Sequence, residues 1–463
     1  MMKSFWKIIP LLALLCLLLA GCGTAAEPEP TPEPTPQPVI FAQGAVQWDT
    51  EGLQIVLQPG ETEKLNELPR LKKLVADGSD CCEEIAAWAA GHPEVDVHYT
   101  VALPGGVTAG SGDTELDLSA LTAAQLREAA DSLGLLPGLE RIILGSEERE
   151  NAPALEDVKL LLSAAPGAVC DYSVSRFGKT INLADETLDL NHIIMDDGGA
   201  QARELLECMR ACTYLDMDSC HVSDEDMAAI RDDFPDVKVV WRVWFGSAYS
   251  VRTDVEKILA SRPTLGGELT SYNTQSLKYC TDVKYLDVGH NPTLDSIDFV
   301  AYMPKLEVAI VALCHYSDAS PLANCKNLEY LELQTTWVSD LSPLSGLTNL
   351  HHLNIGWLFD CTDITPLYGL TNLERLWIGA LTPIPAEQVE EFKSRVPDCV
   401  VDTTVNDPTE GGWRYSDMVY KADWDMYIPV YHPRYILLRE QFGYDRDEFS
   451  YYWKDPKYYA DGG

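Results

Sequence analysis

The sequence is poor in positive charge. It contains 34 lysine and arginine residues against 72 aspartate and glutamate residues, which gives a net charge of −38 over 463 residues. No sizeable basic run interrupts this acidic excess. Because binding to a nucleic-acid backbone depends on basic side chains that neutralise phosphates, we predict that nucleic acid is not a partner.

The sequence also lacks the short motifs that commonly carry catalysis. It contains no GxSxG, no HExxH, no phosphate-binding loop and no GxGxxG after a strand, and its nine histidines stand in no recognisable motif. Carboxylates are so numerous that no pair of them indicates a glycosidase site. We therefore predict a protein without enzymatic activity and without a cofactor, and a surface hydrolase stays open as the alternative.

Thiol and imidazole groups come close in sequence at one place, Cys208, Cys212, Cys220 and His221. A tetrahedral zinc site usually takes its ligands as two close pairs. Cys220 and His221 are neighbours, and on a strand they would point to opposite faces. Free cysteine packs as a small apolar residue, and several of the cysteines fall at repeat positions that core residues normally fill. We predict no metal site.

The first 22 residues have the pattern of a targeting segment. Lys3 and Lys7 precede an apolar core at residues 8–20, and about 13 apolar residues are too few to span a bilayer. Residues 19–22, Leu-Ala-Gly-Cys, resemble the lipobox of bacterial lipoproteins. The resemblance implies cleavage before Cys22, acylation of its sulfur, and a lipid anchor on the extracytoplasmic face of a bacterial cell membrane. An ordinary secretory signal is the alternative.

Residues 23–38 follow as a stalk rich in proline, glutamate and threonine, with proline at every second position from Pro28 to Pro38. Such a tract favours the extended polyproline II conformation. It is therefore expected to hold the folded part of the chain away from its anchor.

An apolar ladder repeats between residues 283 and 378 at steps of 23, 22, 22 and 23 residues. Its members are Val283/Leu286/Val288, Leu306/Ala309/Val311, Leu328/Leu331/Leu333, Leu350/Leu353/Ile355 and Leu373/Leu376/Ile378. A fixed period in the twenties is typical of a solenoid, in which each unit buries its ladder by stacking on the next. This architecture favours a binding surface over a pocket enzyme.

Residues 265–381 resemble the short leucine-rich repeat of bacterial surface proteins, close to the internalin type. The motifs that carry the resemblance are Asp-x-Ser/Thr-Pro-Leu, as at residues 340–344, followed by Thr-Asn-Leu and the ladder. The resemblance implies an α/β solenoid, a leucine-rich repeat horseshoe with a parallel sheet on its concave face. The asparagine that usually ends the ladder is kept only as Asn291, which leaves the hydrogen bonding of that corner open.

Residues 39–264 carry a longer and less regular repeat. Pro93, Pro166 and Pro235 each follow a helix-like stretch and precede apolar residues in alternation, a pattern that predicts a strand. This region resembles leucine-rich repeats of the ribonuclease-inhibitor type. A set of small α/β domains built from duplicated βαβ units is the alternative.

Residues 382–412 hold a last repeat and a connector, and residues 413–463 form an aromatic-rich tail. In residues 413–459, 15 of 47 residues are Trp, Tyr or Phe. So dense a cluster can bury much apolar area per residue, and we predict a C-terminal cap on the open end of the solenoid. A platform for sugar rings and a disordered extension are the alternatives.

The residues between the ladder positions are predicted to be exposed on the concave face, because side chains alternate along a strand. The candidate ligand-binding residues there are Tyr285, Asp287, Tyr330, Glu332, His352, Asn354, Arg375 and Trp377. Three aromatic residues in the loops that leave the strands form a candidate rim, Tyr316, Trp337 and Trp357. A merely solvated sheet face, and aromatics that only cover the ends of the stack, are the alternatives.

The sequence thus predicts a lipid-anchored, extracytoplasmic binding module. Its partners would be membrane lipid, through an acylated Cys22, and a protein, peptide or glycan ligand. A purely structural or adhesive envelope protein is a further alternative.

Overall fold

The computed structural model describes residues 37–261, 268–407, 413–422 and 425–443. The targeting segment with Cys22, all but the last two residues of the stalk, and residues 444–463 of the tail lie outside this part of the chain. The described residues divide into two compact units, one within residues 1–101 and one within residues 102–463. No helix among the described residues has the length and apolarity to cross a membrane.

The first unit contains one strand–helix layer and a short hairpin. Its elements are β1 (Val39–Phe41), β2 (Gly44–Val46), β3 (Gly52–Gln54), a 3-10 helix (Thr62–Glu67), β4 (Lys73–Val75), α1 (Cys82–Gly91) and β5 (Asp96–His98). Strands β3, β4 and β5 form a parallel sheet. Leu74 at its centre and Ile85 of α1 are both fully buried, as the apolar alternation predicts.

The second unit begins with two long repeats. Strand β6 (Thr100–Ala102) includes the boundary between the units, and the strands that follow it are β7 (Thr108–Gly110), β8 (Glu115–Asp117), β9 (Arg141–Ser146), β10 (Val169–Arg176), β11 (Lys179–Asn182), β12 (Thr187–Asp189), β13 (Tyr214–Asp216), β14 (Lys238–Val240), β15 (Arg242–Phe245) and β16 (Tyr249–Arg252). Their helices are α2 (Ala123–Leu133), α3 (Leu155–Ala164), α4 (Ala200–Leu206) and α5 (Asp224–Asp233), with a 3-10 turn at Pro104–Gly106.

Each long repeat has three parallel strands and an antiparallel hairpin. Strands β8, β9 and β10 are parallel, and β11 folds back on β10. Strands β12, β13 and β14 repeat the parallel arrangement, and β15 and β16 form the hairpin that follows. The hairpins explain why the period is near 70 residues and why the regular ladder is lost.

A continuous seven-stranded parallel sheet forms the rest of the array. Its strands are β17 (Lys257–Leu259), β18 (Tyr285–Asp287), β19 (Val308–Ile310), β20 (Tyr330–Glu332), β21 (His352–Asn354), β22 (Arg375–Trp377) and β23 (Val400–Asp402). The middle residues of neighbouring strands, such as Leu286, Ala309 and Leu331, pair in register and are fully buried. The predicted ladder and the predicted leucine-rich repeat solenoid are confirmed.

Short 3-10 turns return the chain on the opposite side of the ladder. They span Gln275–Tyr279, Asp298–Tyr302, Ser320–Asn324, Ser342–Gly346 and Thr365–Gly369, and α6 (Ala386–Arg395) follows them. The Asp-x-Ser/Thr-Pro motif starts three of these turns: the carboxylates of Asp318, Asp340 and Asp363 each accept a hydrogen bond of 2.8 Å from the backbone N–H two residues on. This short-range bond explains the repeated aspartate.

The corner after each ladder is closed by different side chains. Asn291 is buried, and its Nδ2 donates to carbonyl oxygens at 2.9 to 3.1 Å. In the next two repeats the Cys314 thiol donates to the Val288 carbonyl at 3.5 Å and the Thr336 hydroxyl donates to the Leu333 carbonyl at 2.9 Å. Cysteine or threonine can therefore replace asparagine at this corner, because a thiol or a hydroxyl also donates a hydrogen bond to a corner carbonyl.

All eleven cysteines in the described part of the chain are free, and all but Cys82 are buried. Burial raises the pKa of the Cys314 thiol to about 12, which keeps it protonated and unreactive. The predicted packing role of the cysteines is confirmed. Among the described residues, no three His, Cys, Asp or Glu side chains converge as a metal site would require.

Candidate functional site

The concave face of the seven-stranded sheet carries the predicted candidate residues, but the prediction that they are exposed is wrong. They lie at the first and third positions of β18, β20, β21 and β22. All are buried except Tyr285, which is half-buried: Asp287, Tyr330, Glu332, His352, Asn354, Arg375 and Trp377. Their burial has two causes. One applies to residues with a structural role, and the other applies to candidate binding residues.

The first cause is a local turn at the end of each strand. Asp287 Oδ1 accepts from the Gly289 N–H at 3.0 Å, and Asn354 Oδ1 accepts from the Gly356 N–H at 2.9 Å. The equivalent bond recurs at strands where no ligand was predicted, at Asp117, Asp189, Asp216 and Asp402. The turn bond therefore gives Asp287 and Asn354 a structural role in shaping the strand exit.

The second cause is the C-terminal tail, which packs on the concave face. Its described elements are the antiparallel strands β24 (Tyr415–Lys421) and β25 (Met426–Tyr431), and α7 (Pro433–Phe442). Together with Trp413 they complete a buried cluster with the sheet residues Val308, Ile310, Tyr330 and Trp377. The prediction that the tail caps the open end of the solenoid is wrong: the tail covers the concave face of the sheet, and Val400 of the last strand β23 stays 55% exposed.

Glu332 is the polar centre of this contact. Its carboxylate accepts hydrogen bonds from the Tyr330 hydroxyl and, at 2.9 Å, from Gln334 Nε2. The tail adds Trp413 Nε1 at 2.9 Å and Arg414 Nη2 at 3.3 Å. Burial alone would raise the pKa of Glu332, but the Arg414 charge and these hydrogen bonds outweigh it and hold the pKa below its usual value. The fully buried carboxylate is therefore ionised and paired with the tail.

Arg375 binds the backbone of the same tail segment. Its Nη1 donates to the Trp413 carbonyl at 2.9 Å and its Nη2 donates to the Tyr415 carbonyl at 3.2 Å. The guanidinium also lies over the Trp377 ring, 5.1 Å from its centroid. The indole rings of Trp377 and Trp413 are 5.8 Å apart. Arg375 and Trp377 thus form one side of the groove that holds Trp413.

His352 lies beneath the tail, with its ring 5.9 Å from Trp413 and 4.9 Å from His432. Burial lowers the pKa of His352 to about 2, and the nearby His432, Arg375 and Arg434 act in the same direction. Its Nε2 lies 3.4 Å from a carboxylate oxygen of Glu374, a side chain that is 55% exposed and so screened by solvent. The imidazole is therefore neutral in the folded protein.

The fit between tail and sheet is incomplete. The Trp377 indole nitrogen and the Arg414 Nε are buried without a hydrogen-bond partner among the described residues. A buried donor left unpaired typically costs about 1–3 kcal/mol. The contact between tail and sheet therefore combines a well-paired carboxylate, Glu332, with two buried donors that form no hydrogen bond to the described residues.

Three further contacts join helix α7 of the tail to the sheet. Arg434 Nη1 of α7 donates to a Glu329 carboxylate oxygen at 2.6 Å, and Lys257 Nζ of the sheet donates to the Gln441 carbonyl at 2.9 Å. The Phe442 ring meets the half-buried Tyr285 edge to face at 6.4 Å. The contact thus extends from β17 to β22, across most of the concave face.

The predicted aromatic rim is only partly exposed. Tyr316 is 1% exposed, so its placement on an open rim is wrong. Trp337 is 60% exposed and stacks on His315, with ring centroids 4.6 Å apart and planes within 7°. Trp357 is half-buried and donates from its indole nitrogen to the Asn406 carbonyl. Phe359, which the sequence reasoning missed, lies 6.5 Å from the Trp357 ring and is 59% exposed.

A second polar network, also missed from the sequence, attaches the β15–β16 hairpin to the preceding sheet. Arg242 forms a two-pronged pair with Asp218 at 2.8 and 2.9 Å. Arg252 pairs with Asp216 at 2.9 Å and with Asp254 at 3.1 Å. The carboxylates of Asp216 and Asp218 are thus compensated by arginines of the hairpin, 24 to 36 residues further along the chain.

The stacked parallel strands, the buried ladder and the regular corners define a leucine-rich repeat fold. The sequence matches no protein-family model, and no curated protein matches it as a relative. Among solved structures, an internalin (InlF) of Listeria monocytogenes is similar at 17% identity over 79% of this chain and 86% of that chain, with a TM-score of 0.29. A leucine-rich repeat protein of Leptospira interrogans is similar at 14% identity over 76% and 93%, with a TM-score of 0.23.

Internalin C2 of Listeria monocytogenes is similar at 18% identity over 51% of this chain and 83% of that chain, with a TM-score of 0.26. Identities and TM-scores this low carry no conclusion about ligand or activity. The functional assignment of this chain therefore depends on its own surface.

Proposed function

We propose that the protein is an extracytoplasmic binding module, anchored to a bacterial membrane by lipid on Cys22 and raised on the stalk of residues 23–38. The module recognises a protein or glycan partner at the rim of the seven-stranded array. The observation that carries this proposal is the His315–Trp337 stack, in which Trp337 stays 60% exposed in the loop that follows β20.

The rim is favoured over the concave face because the tail already occupies that face. Trp337 and Phe359 lie in the loops that follow β20 and β21, two consecutive repeats, and both are exposed large apolar side chains. Exposed aromatic rings on a rigid scaffold offer large contact area at a low cost in conformational entropy, and sugar rings or apolar side chains stack on them. The net charge of −38 favours a neutral or basic partner.

The rim is tested with glycan and peptide arrays probed with the full chain carrying a fluorescent label. Trp337→Ala combined with Phe359→Ala is expected to weaken any ligand found by about tenfold or more, because aromatic hot spots each contribute about 1–2 kcal/mol or more. Tyr272→Ala is the matched control, because Tyr272 is 85% exposed in another part of the array. A ligand that the double variant binds at full affinity would contradict the rim.

The anchor is tested separately by cell fractionation. Cys22→Ser is expected to move the protein from the membrane to the soluble extracytoplasmic fraction and to abolish labelling with a radioactive fatty acid. Cys16→Ser, a thiol within the targeting segment, is the control and should leave both unchanged. Retention of the Cys22→Ser protein in the membrane fraction would refute lipid anchoring.

A further inference from the structure

The contact between tail and sheet has the chemistry of peptide recognition. Arg375 donates to the carbonyls of residues 413 and 415, two groups that alternate along the segment. Glu332 accepts from the side chains of Trp413 and Arg414, which follow each other in sequence. One guanidinium therefore recognises the backbone of the segment, and one carboxylate recognises two successive side chains.

Glu332 is set apart from the residues at the same position of other strands. Where that position holds aspartate or asparagine, as at Asp216, Asp287 and Asn354, the side chain bonds to its own turn. The longer side chain of Glu332 reaches the tail instead, and Gln334 and Tyr330 orient its carboxylate. A buried carboxylate without the Arg414 charge would be costly, so this position requires a cationic or hydrogen-bonding partner.

We propose that the groove between Tyr330, Glu332, His352, Arg375 and Trp377 is a peptide-binding site for an extended Trp-Arg segment, and that the chain's own tail is an exchangeable occupant. The external partner is a peptide with tryptophan followed by a basic residue, and it displaces the tail by making the same bonds. This proposal is independent of the rim, which the tail leaves exposed.

Three features support an exchangeable occupant over a fixed part of the fold. The tail hairpin of β24 and β25 forms a two-stranded sheet of its own and is not a strand of the seven-stranded sheet. The indole nitrogen of Trp377 and the Nε of Arg414 are buried without a partner among the described residues, as expected of a contact that is not optimised. The ladder beneath, such as Leu331 and Leu353, points to the interior of the solenoid, away from the tail.

The exchange is tested in the complete chain after a single cut. A specific protease site replaces residues 408–412, which join the last repeat to Trp413, and the purified protein is cut there. A fluorescein-labelled peptide of residues 413–443 is then added, and its binding is followed by fluorescence anisotropy. We expect the cut protein to keep its circular dichroism and to exchange its tail for the labelled peptide, which unlabelled peptide then competes away.

Substitutions are made in the peptide, so that folding of the array is not affected. Trp413→Ala in the peptide is expected to weaken binding by about thirtyfold or more, and Arg414→Met by about tenfold, because both lose bonds to a buried carboxylate. Tyr427→Ala is the matched control, because Tyr427 is 62% exposed, and it should bind as the parent peptide does.

Three results would overturn the proposal. A cut protein that stays folded and never takes up the labelled peptide would make the tail a fixed part of the fold. Loss of the circular dichroism signal on cutting, or when the tail leaves, would lead to the same conclusion. Equal binding of the Trp413→Ala, Arg414→Met and Tyr427→Ala peptides would show that Glu332 does not recognise the Trp-Arg pair.

Discussion

Burial of His352 makes the stability of the second unit sensitive to mild acid. The pKa of His352 is lowered from 6.5 to about 2 by burial beneath the tail and by the nearby positive groups. The folded protein therefore holds a neutral imidazole at pH 5, while the unfolded chain takes up a proton below pH 6.5. Stability is complete above pH 6.5 and is lost as the pH falls from 6.5 towards 2.

The size of the effect at pH 5 follows from the unfolded pKa alone. pH 5 lies about 1.5 units below 6.5, and each unit corresponds to about 1.36 kcal/mol, so the free energy of unfolding should fall by about 2 kcal/mol between pH 7.5 and pH 5. Glu332 does not contribute strongly in this interval. Its pKa is lowered from 4.5, so its stabilisation is lost only as the pH falls below that value.

The assay is urea unfolding, followed by circular dichroism and tryptophan fluorescence at pH 7.5 and pH 5.0, for the parent chain and for His352→Gln. Glutamine stays neutral at both pH values, so the variant should lack about 2 kcal/mol of the pH-dependent loss. His351→Gln is the matched control, because the neighbouring His351 side chain is 32% exposed. An equal loss of stability in the parent and in His352→Gln would show that His352 does not cause the pH dependence.

Two further predictions concern the array itself. Asn291→Ala should lower the free energy of unfolding by about 1–3 kcal/mol, because buried carbonyls at the corner lose their donor. Asn372→Ala, which removes an exposed amide, is its control, and equal losses would contradict the assigned role of the corner. Leu331→Ala should cost about 2–5 kcal/mol in the same urea assay, because a fully buried ladder side chain is lost, and a cost below 1 kcal/mol would argue against close packing of the ladder.

The sequence predicted the array well because its determinants are local. The ladder, the Asp-x-Ser/Thr-Pro turns and the helix at residues 224–233 each depend on residues a few positions apart. Ser223 caps that helix, and its hydroxyl accepts a hydrogen bond from the Asp226 N–H at 3.1 Å. The helix-like stretches predicted before Pro93, Pro166 and Pro235 are α1, α3 and α5.

The candidate site was harder to predict because its contacts join distant residues. Glu332 and Trp413 are 81 positions apart, and Lys257 and Gln441 are 184 positions apart. Alternation along a strand shows which side chains face away from the ladder, but it does not show what covers them. The available signal was compositional: a tail rich in aromatic residues must bury them, and the concave face offered tyrosine, tryptophan and arginine in neighbouring repeats.

Five arginines of this acidic chain attach segments to the parallel sheets. Arg375, Arg414 and Arg434 join sheet and tail, and Arg242 and Arg252 hold the β15–β16 hairpin. Each of these arginines attaches a segment that adds no strand to the parallel sheet beneath it. In a chain with 34 basic and 72 acidic residues, a partner that brings its own arginine meets a surface already suited to it. The preference for an arginine-bearing partner is strongest at Glu332. Its ionised carboxylate is buried, and its only cationic partner among the described residues comes from the tail.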